Sequence, residues 1–409
     1  MEREYKDSGI EWIGQIPKEW KVTLSKRLFT IVAGATPKTD NVDLWDGDIS
    51  WITPADYKTE DKFVCSGRRN LSEKGKNSCA TYLLPTNSIV FSKRAPIGLV
   101  AITAKELCTN QGCLGCIPDG QLIVLFYYYA MSVFTEQFEL LGTGTTFKEI
   151  SATKFANFPF PYPPLPEQQK IAEYLDKVCG EVDEMIALQE QMIEELKAYK
   201  QSVITEAVTK GLNPNAPMKD SGIDWIGEIP EHWETSKAKH YVIITNGSDP
   251  KTEGDTPVYG SGSSSFKTCG EYKDGPTVLI GRKGATLHIP HFIEGKYWNV
   301  DTAFDVKSKD NMKLKYYYYL AVIFDYKYYI SQTTLPGMAQ SSYNNMIIPC
   351  PPFSEQQSVA SYLDTKCTEI DSLIAIKQQK IEELKDYKKS VIYEYVTGKK
   401  EVVGGHRKT

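Results

Sequence analysis

Two arginine-bearing turns carry the clearest chemistry in this chain of 409 residues. Ser92-Lys93-Arg94-Ala95-Pro96-Ile97-Gly98 and Gly281-Arg282-Lys283-Gly284-Ala285 each follow an apolar run, which places Arg94 and Arg282 on loops between strands. An arginine so placed can donate two hydrogen bonds to guanine O6 and N7, or grip a phosphate. Lys93 and Lys283 stand beside them as further candidate contacts. A surface arginine with no ligand is the plain alternative. The second candidate place is a late polar stretch: Gly142, Thr143, Gly144, Thr145, Thr146 and Lys148 in one half, Gln340, Ser341, Ser342, Tyr343 and Asn344 in the other. Small and amide side chains on a loop suit the readout of base edges, although a solvated loop before a helix has the same composition.

Other chemistries find little support. Cys350-Pro351-Pro352-Phe353 is close to the [DNS]-P-P-[YF] string with which amino-methyltransferases grip an amine. Cysteine cannot supply the required oxygen, and no glycine-rich cofactor loop precedes it, so a turn leading into a helix is expected. No G-x-x-x-x-G-K-[ST] loop is present, and the five histidines form no H-E-x-x-H arrangement. His288 and His291 have ligand-like spacing without acidic or cysteine partners, which favours surface positions. Cys113 and Cys116 form C-x-x-C near Cys108, but nothing completes a zinc site, so reduced thiols in a cytoplasmic chain are expected. No apolar run is long enough for a membrane span, and Glu2, Arg3, Glu4, Lys6 and Asp7 leave no room for a secretory core near the start.

The elements that must position the turns are written twice. Residues 6–20 recur at 219–233 with eleven of fifteen identical, and 161–212 recur at 349–400 with twenty-nine of fifty-two identical. The stretches between, 21–160 and 234–348, resemble each other only in outline, so two similar frames hold two dissimilar inserts. Charge divides along the same lines. The overall net charge is −5, yet 21–160 carry fifteen basic against thirteen acidic residues and 234–348 thirteen against eleven, while 161–233 carry six against fourteen. A polyanion responds to local basic surface, so the inserts are compatible with DNA and the central repeat is not.

From Glu167 to Lys210 a heptad places Leu175, Val182, Leu196 and Val203 on one position. Val178, Met185, Met192 and Tyr199 fall on its partner, with Ile186 and Ile193 widening the stripe. The copy repeats this with Leu363, Ile370, Leu384 and Val391, then Leu373 and Tyr387, then Ile374 and Ile381. A helix of about 44 residues is roughly 66 Å long, too long to bury in one compact domain. The two are therefore expected to pack on each other as an antiparallel coiled coil, with Gln189, Lys366, Lys377 and Lys380 interrupting the stripes. Burial of each helix in its own domain is the alternative. Ser354 and Gln357 suggest a capping box, Gly211 and Gly398 left-handed C-caps, and Asn213 to Pro217 a stiff linker. In the inserts, 48–57, 87–103, 276–289 and 302–306 read as strand-rich. Phe126–Phe134 and Tyr316–Phe324 read as core helices rather than base-stacking platforms. The expected class is α+β: two mixed α/β domains separated by two long antiparallel coiled-coil helices, with a pseudo-twofold internal repeat.

At Leu165-Pro-Glu-Gln-Gln-Lys-Ile-Ala-Glu-Tyr-Leu-Asp176, with KDSGIEWIGQIPKEW and its copy before the two inserts, the chain resembles the DNA-specificity subunit of type I restriction-modification systems over its whole length. The resemblance implies target-recognition domains at 21–160 and 234–348, spacer helices at 161–212 and 349–400, repeat segments at 1–20 and 213–233, and a tail at 401–409. It implies reading of a bipartite, asymmetric double-stranded DNA target, one half per domain, with the helices setting the gap and docking two modification subunits. Half-sites one turn apart lie about 34 Å from each other, within reach of a spacer of this length. No catalysis and no bound cofactor are expected of this chain. S-adenosylmethionine belongs to the modification subunits, ATP and Mg to motor-nuclease restriction subunits. Pro166 becomes Ser354 and Lys170 becomes Ser358 in the second copy, a departure that bears on whether both helix starts bind a partner alike. A coiled-coil adaptor without DNA contact and a degenerate amino-methyltransferase are the competing classes.

Overall fold

A computed structural model describes residues 3–402 apart from 59, 145–147, 263 and 327–335. The chain forms two compact units, residues 1–188 with 380–409, and residues 189–379. Each takes one repeat hairpin, one insert and part of both long helices. In the first unit Tyr5–Asp7 pairs with Gln15–Pro17, and Lys21–Leu24 with Pro159–Tyr162, so the two ends of the insert close on each other. Between them lies a five-stranded sheet in the order Phe29–Ala33, Cys113–Pro118, Ile89–Ser92, Val100–Thr103, Phe63–Val64, beside a three-stranded sheet centred on Trp45–Ile52. The strand Ile89–Ser92 is buried on both faces, which is why Ile89, Val90 and Phe91 are apolar in succession rather than alternating with polar residues.

The second unit repeats the frame on a different insert. Met218–Asp220 pairs with Glu228–Pro230, and Glu234–Lys237 with Ile347–Cys350. The central four-stranded sheet runs Val242–Asn246, Ala303–Ser308, Thr277–Gly281, His291–Ile293, and a second four-stranded sheet is built around Thr256–Tyr259. Cys350 ends a strand whose partner is Glu234, so the Cys-Pro-Pro-Phe string is a strand-to-helix turn. The tyrosine-rich segments form the core helices Val124–Val133 and Leu314–Ile323, with Tyr127, Tyr316 and Tyr317 fully buried.

The long helices are Leu165–Lys210 and Phe353–Val396. Their buried residues advance by four and three: Leu175, Cys179, Val182 and Ile193 in one, Leu363, Cys367, Ile370 and Ile381 in the other. The expected partner position is thus shifted by one residue. Met185, Tyr199, Leu373 and Tyr387 are exposed, and Cys179 and Cys367 take the inner places. The sequence favoured the larger apolar side chains, but packing selects by side-chain direction, and Cys179 and Cys367 are the residues that point into the two cores. In the first unit the rings of Tyr174 and Tyr395 lie 4.5 Å apart and Lys388 pairs with Asp183 at 2.6 Å, so the two helix segments run in opposite directions. In the second unit Lys200 pairs with Asp371 at 2.6 Å, and Val203 and Ala207 share a core with Leu363 and Cys367. The helices end at Gly211 and Gly398 with φ of 74° and 73°, the left-handed conformation that costs glycine nothing. Ser354 does not cap the second helix. It lies inside the first turn, where the Glu355 and Gln356 amides donate to the Pro352 carbonyl.

The repeated Glu-Gln pair has a structural task in each unit. Trp20 Nε1 donates to Glu167 at 2.7 Å, and Trp233 Nε1 to Glu355 at 2.9 Å. The next residue, Gln168, accepts from the Ile123 amide at 3.0 Å and donates to the Pro163 carbonyl at 2.9 Å. Gln356 does the same with Lys313 at 2.7 Å and Pro351 at 3.0 Å. Ile123 and Lys313 precede core helices that have no side-chain cap of their own, so a buried glutamine from the long helix fixes where each core helix begins.

Candidate nucleic-acid interface

In the first unit the two candidate places form one surface. The strand Ile89–Ser92 leads into the turn carrying Lys93 and Arg94, and the Ile150 amide donates to the Lys93 carbonyl at 2.9 Å. Arg94 and Thr143 both form backbone bridges with Glu149, which draws the late polar stretch over the turn. The Glu149 carboxylate accepts from Lys93 Nζ at 2.7 Å through one oxygen and from Arg94 Nε at 2.9 Å through the other. These cations, Lys93 foremost, hold its pKa below the ordinary carboxylate value. The Lys93 side chain is only 14% exposed, against 46% for Arg94. Thr143 and Lys148 are exposed on the same stretch, while Thr145 and Thr146 lie outside the described residues.

The second unit joins the corresponding segments by the corresponding bonds. The strand Thr277–Gly281 leads into Arg282 and Lys283, the Met338 amide donates to the Arg282 carbonyl at 2.9 Å, and Lys283 bridges Gly337. Arg282 Nη1 donates to the Asp301 carbonyl at 3.2 Å and lies 3.9 Å from its carboxylate, and Lys283 is exposed. The late stretch here is the short helix Gln340–Asn345, with Ser341 exposed and Asn344 half-buried.

Tyr343 is a correction. Its side chain is fully buried, its hydroxyl donates to the Gly281 carbonyl at 2.7 Å, and its ring packs on Phe304, so it anchors the helix and does not face a ligand. The polar run before it suggested a surface loop, but the helical turn sends its fourth residue inward. Gln340 is partly committed too, since its amide nitrogen donates to the Ile244 carbonyl at 2.5 Å. The residues that sequence reading missed are the acids Glu149 and Asp301. Nothing in local spacing marks them, because Glu149 meets Arg94 across 55 residues of chain. Burial raises the Cys113 thiol to about 12 and also raises Cys116, as for inert core thiols, and no metal-holding cluster occurs among the described residues.

The family model described as the type I restriction modification DNA specificity domain matches residues 17–198 and 230–386, spanning both inserts and most of both long helices. The chain belongs to this family. Among relatives, the MjaIX type I restriction enzyme specificity subunit of Methanocaldococcus jannaschii is 32% identical over 61% of this chain and 56% of its own length. The putative MjaX specificity subunit of the same organism is 24% identical over 95% of both chains. A solved chain described as "Structural basis underlying complex assembly and conformational transition of the type I R-M system" shares the fold, with a TM-score of 0.74 at 15% identity over 93% of this chain and 98% of that one. Both arginine turns and both late stretches except 145–147 thus sit at described, matched positions of a DNA-specificity family.

Proposed function

We propose that this chain reads a bipartite, asymmetric DNA target, one half-site per unit, for a type I restriction-modification complex. The observation that carries the reading is the pairing of one repeated frame with two different loop surfaces: the same backbone bond closes each site, from Ile150 to Lys93 and from Met338 to Arg282, while the side chains offered differ. A frame used twice fits two similar docking events, and unlike loops fit two unlike half-sites. The recognition domains are 21–160 and 234–348, and the long helices are read as an antiparallel coiled coil with pseudo-twofold character that sets the gap between half-sites. Exposed apolar side chains on the helices, Met185 and Leu188 in the first unit and Leu373 and Ile376 in the second, support docking of two modification subunits there. The chain itself is read as non-catalytic and cytoplasmic. S-adenosylmethionine is assigned to the modification subunits, and ATP with Mg to motor-nuclease restriction subunits. Among the described residues no helix is long and apolar enough to cross a membrane.

The test is single-molecule methylome sequencing of a host lacking other methyltransferases, expressing this chain with its modification subunit or that subunit alone. Adenine methylation at a split asymmetric motif is expected only with both, and exchange of residues 21–160 for another recognition domain should replace one half of the motif. If a complex assembles and binds S-adenosylmethionine yet no motif emerges, the adaptor reading takes precedence. A swap that alters both halves overturns the division of labour.

A further inference from the structure

We infer that Glu149 is a positioning residue for specificity: it holds Arg94 by Nε so that the outer edge of the guanidinium meets one base of the half-site read by the first unit. The inference rests on the DNA-reading assignment above and adds the residue that orients one contact. Three observations carry it. First, Arg94 gives Nε to Glu149 at 2.9 Å, and among the described residues neither terminal nitrogen takes a protein acceptor, so the two-pronged edge suited to guanine O6 and N7 is left for a ligand. Second, Lys93 sits on the other carboxylate oxygen at 2.7 Å and is largely buried, so it balances the acid and leaves the surplus positive charge on the half-exposed Arg94. Third, the backbone at Glu149 is tied to both Arg94 and Thr143, so the carboxylate moves with the turn it steadies and the arginine is oriented before DNA arrives. Among the described residues the second unit lacks the device. The bond from Met338 to Arg282 puts Gly337 in the place of Glu149, and Arg282 spends a terminal nitrogen on the Asp301 carbonyl.

The experiment uses the full-length chain with its modification subunit in the same methyltransferase-free host, comparing wild type with Arg94→Ala, Glu149→Ala, Glu149→Gln and the Arg94→Ala/Glu149→Ala pair. Thermal melting of each purified complex separates folding from recognition. Arg94→Ala and Glu149→Ala should each relax discrimination about tenfold or more at the same single base position of one half-site. The double variant should add nothing further, because both changes remove one contact. Glu149→Gln, which keeps an acceptor for Nε but not its charge, should fall between wild type and Glu149→Ala, and it decides the matter if the alanine variant melts early. The inference is overturned if both Glu149 variants leave the motif intact, if Arg94→Ala leaves it intact, or if Glu149→Gln lowers methylation evenly at every position, as loss of a phosphate contact would. A wild-type complex that methylates no split motif would instead sink the DNA-reading assignment itself.

Discussion

The two units solve the same packing problem with different parts. In both, a tyrosine of the core helix donates to an aspartate on the long helix, Tyr129 to Asp176 at 2.9 Å and Tyr319 to Asp364 at 2.6 Å. The lysine that completes each site has a different origin. Lys62 comes from the loop before a short edge strand in the first unit, whereas Lys315 comes from the core helix itself in the second. The frame therefore fixes the position of a carboxylate, and each insert supplies a cation from whatever segment passes nearby. The two arginine-bearing turns diverge further, with a carboxylate clamping two cations in one unit and a glycine at that place in the other. The tyrosine and glutamine bonds that tie an insert to the frame recur by residue, the lysine pairing recurs only by charge, and the loop contacts recur only by backbone path.

The sharpest way to break this comparison is at its shared core. Leu175 and Leu363 occupy equivalent places on the long helices and are both fully buried. Leu175→Ala and Leu363→Ala should each destabilise their unit by about 2–5 kcal/mol, measured by denaturant unfolding. A large loss in one and almost none in the other would show that the frame is equivalent in sequence alone. Next in size are Gln168→Ala and Gln356→Ala, each leaving a core-helix amide and a proline-turn carbonyl without their partner. About 1–3 kcal/mol is expected for each, with the two values close to one another. Unequal costs would mean that one core helix is placed by other contacts.

The smallest effect should separate the units by pH. The pKa of Glu149 is depressed in the folded chain, so its contribution is present in full above the ordinary carboxylate range and is lost as pH falls through the depressed value. The pair is partly exposed, so the loss should be under about 1 kcal/mol. Hydrogen exchange at the Ile150 amide should quicken with acid beyond its intrinsic trend, while the Met338 amide, which makes the matching bond beside Gly337, should not. Equal acid sensitivity of both amides would remove the electrostatic contrast between the loops.

The sequence alone determined the doubled frame, the extent and ends of the long helices, and the core helices. Each of these is written in short-range signals: helical spacing that runs to Gly211 and Gly398, proline-rich turns ahead of Leu165 and Phe353, and apolar runs such as that at Ile89–Ser92. It did not determine which apolar stripe turns inward, because Cys179 and Met185 are both plausible by hydrophobicity and only the core helix and the other long helix packing on one face distinguish them. Nor did it show that Glu149 would meet Arg94, or that Tyr343 would leave a polar segment for the core. Those outcomes depend on groups far apart in the chain being brought within a few ångströms. Such encounters leave no periodicity to read, so only the tertiary structure decided them.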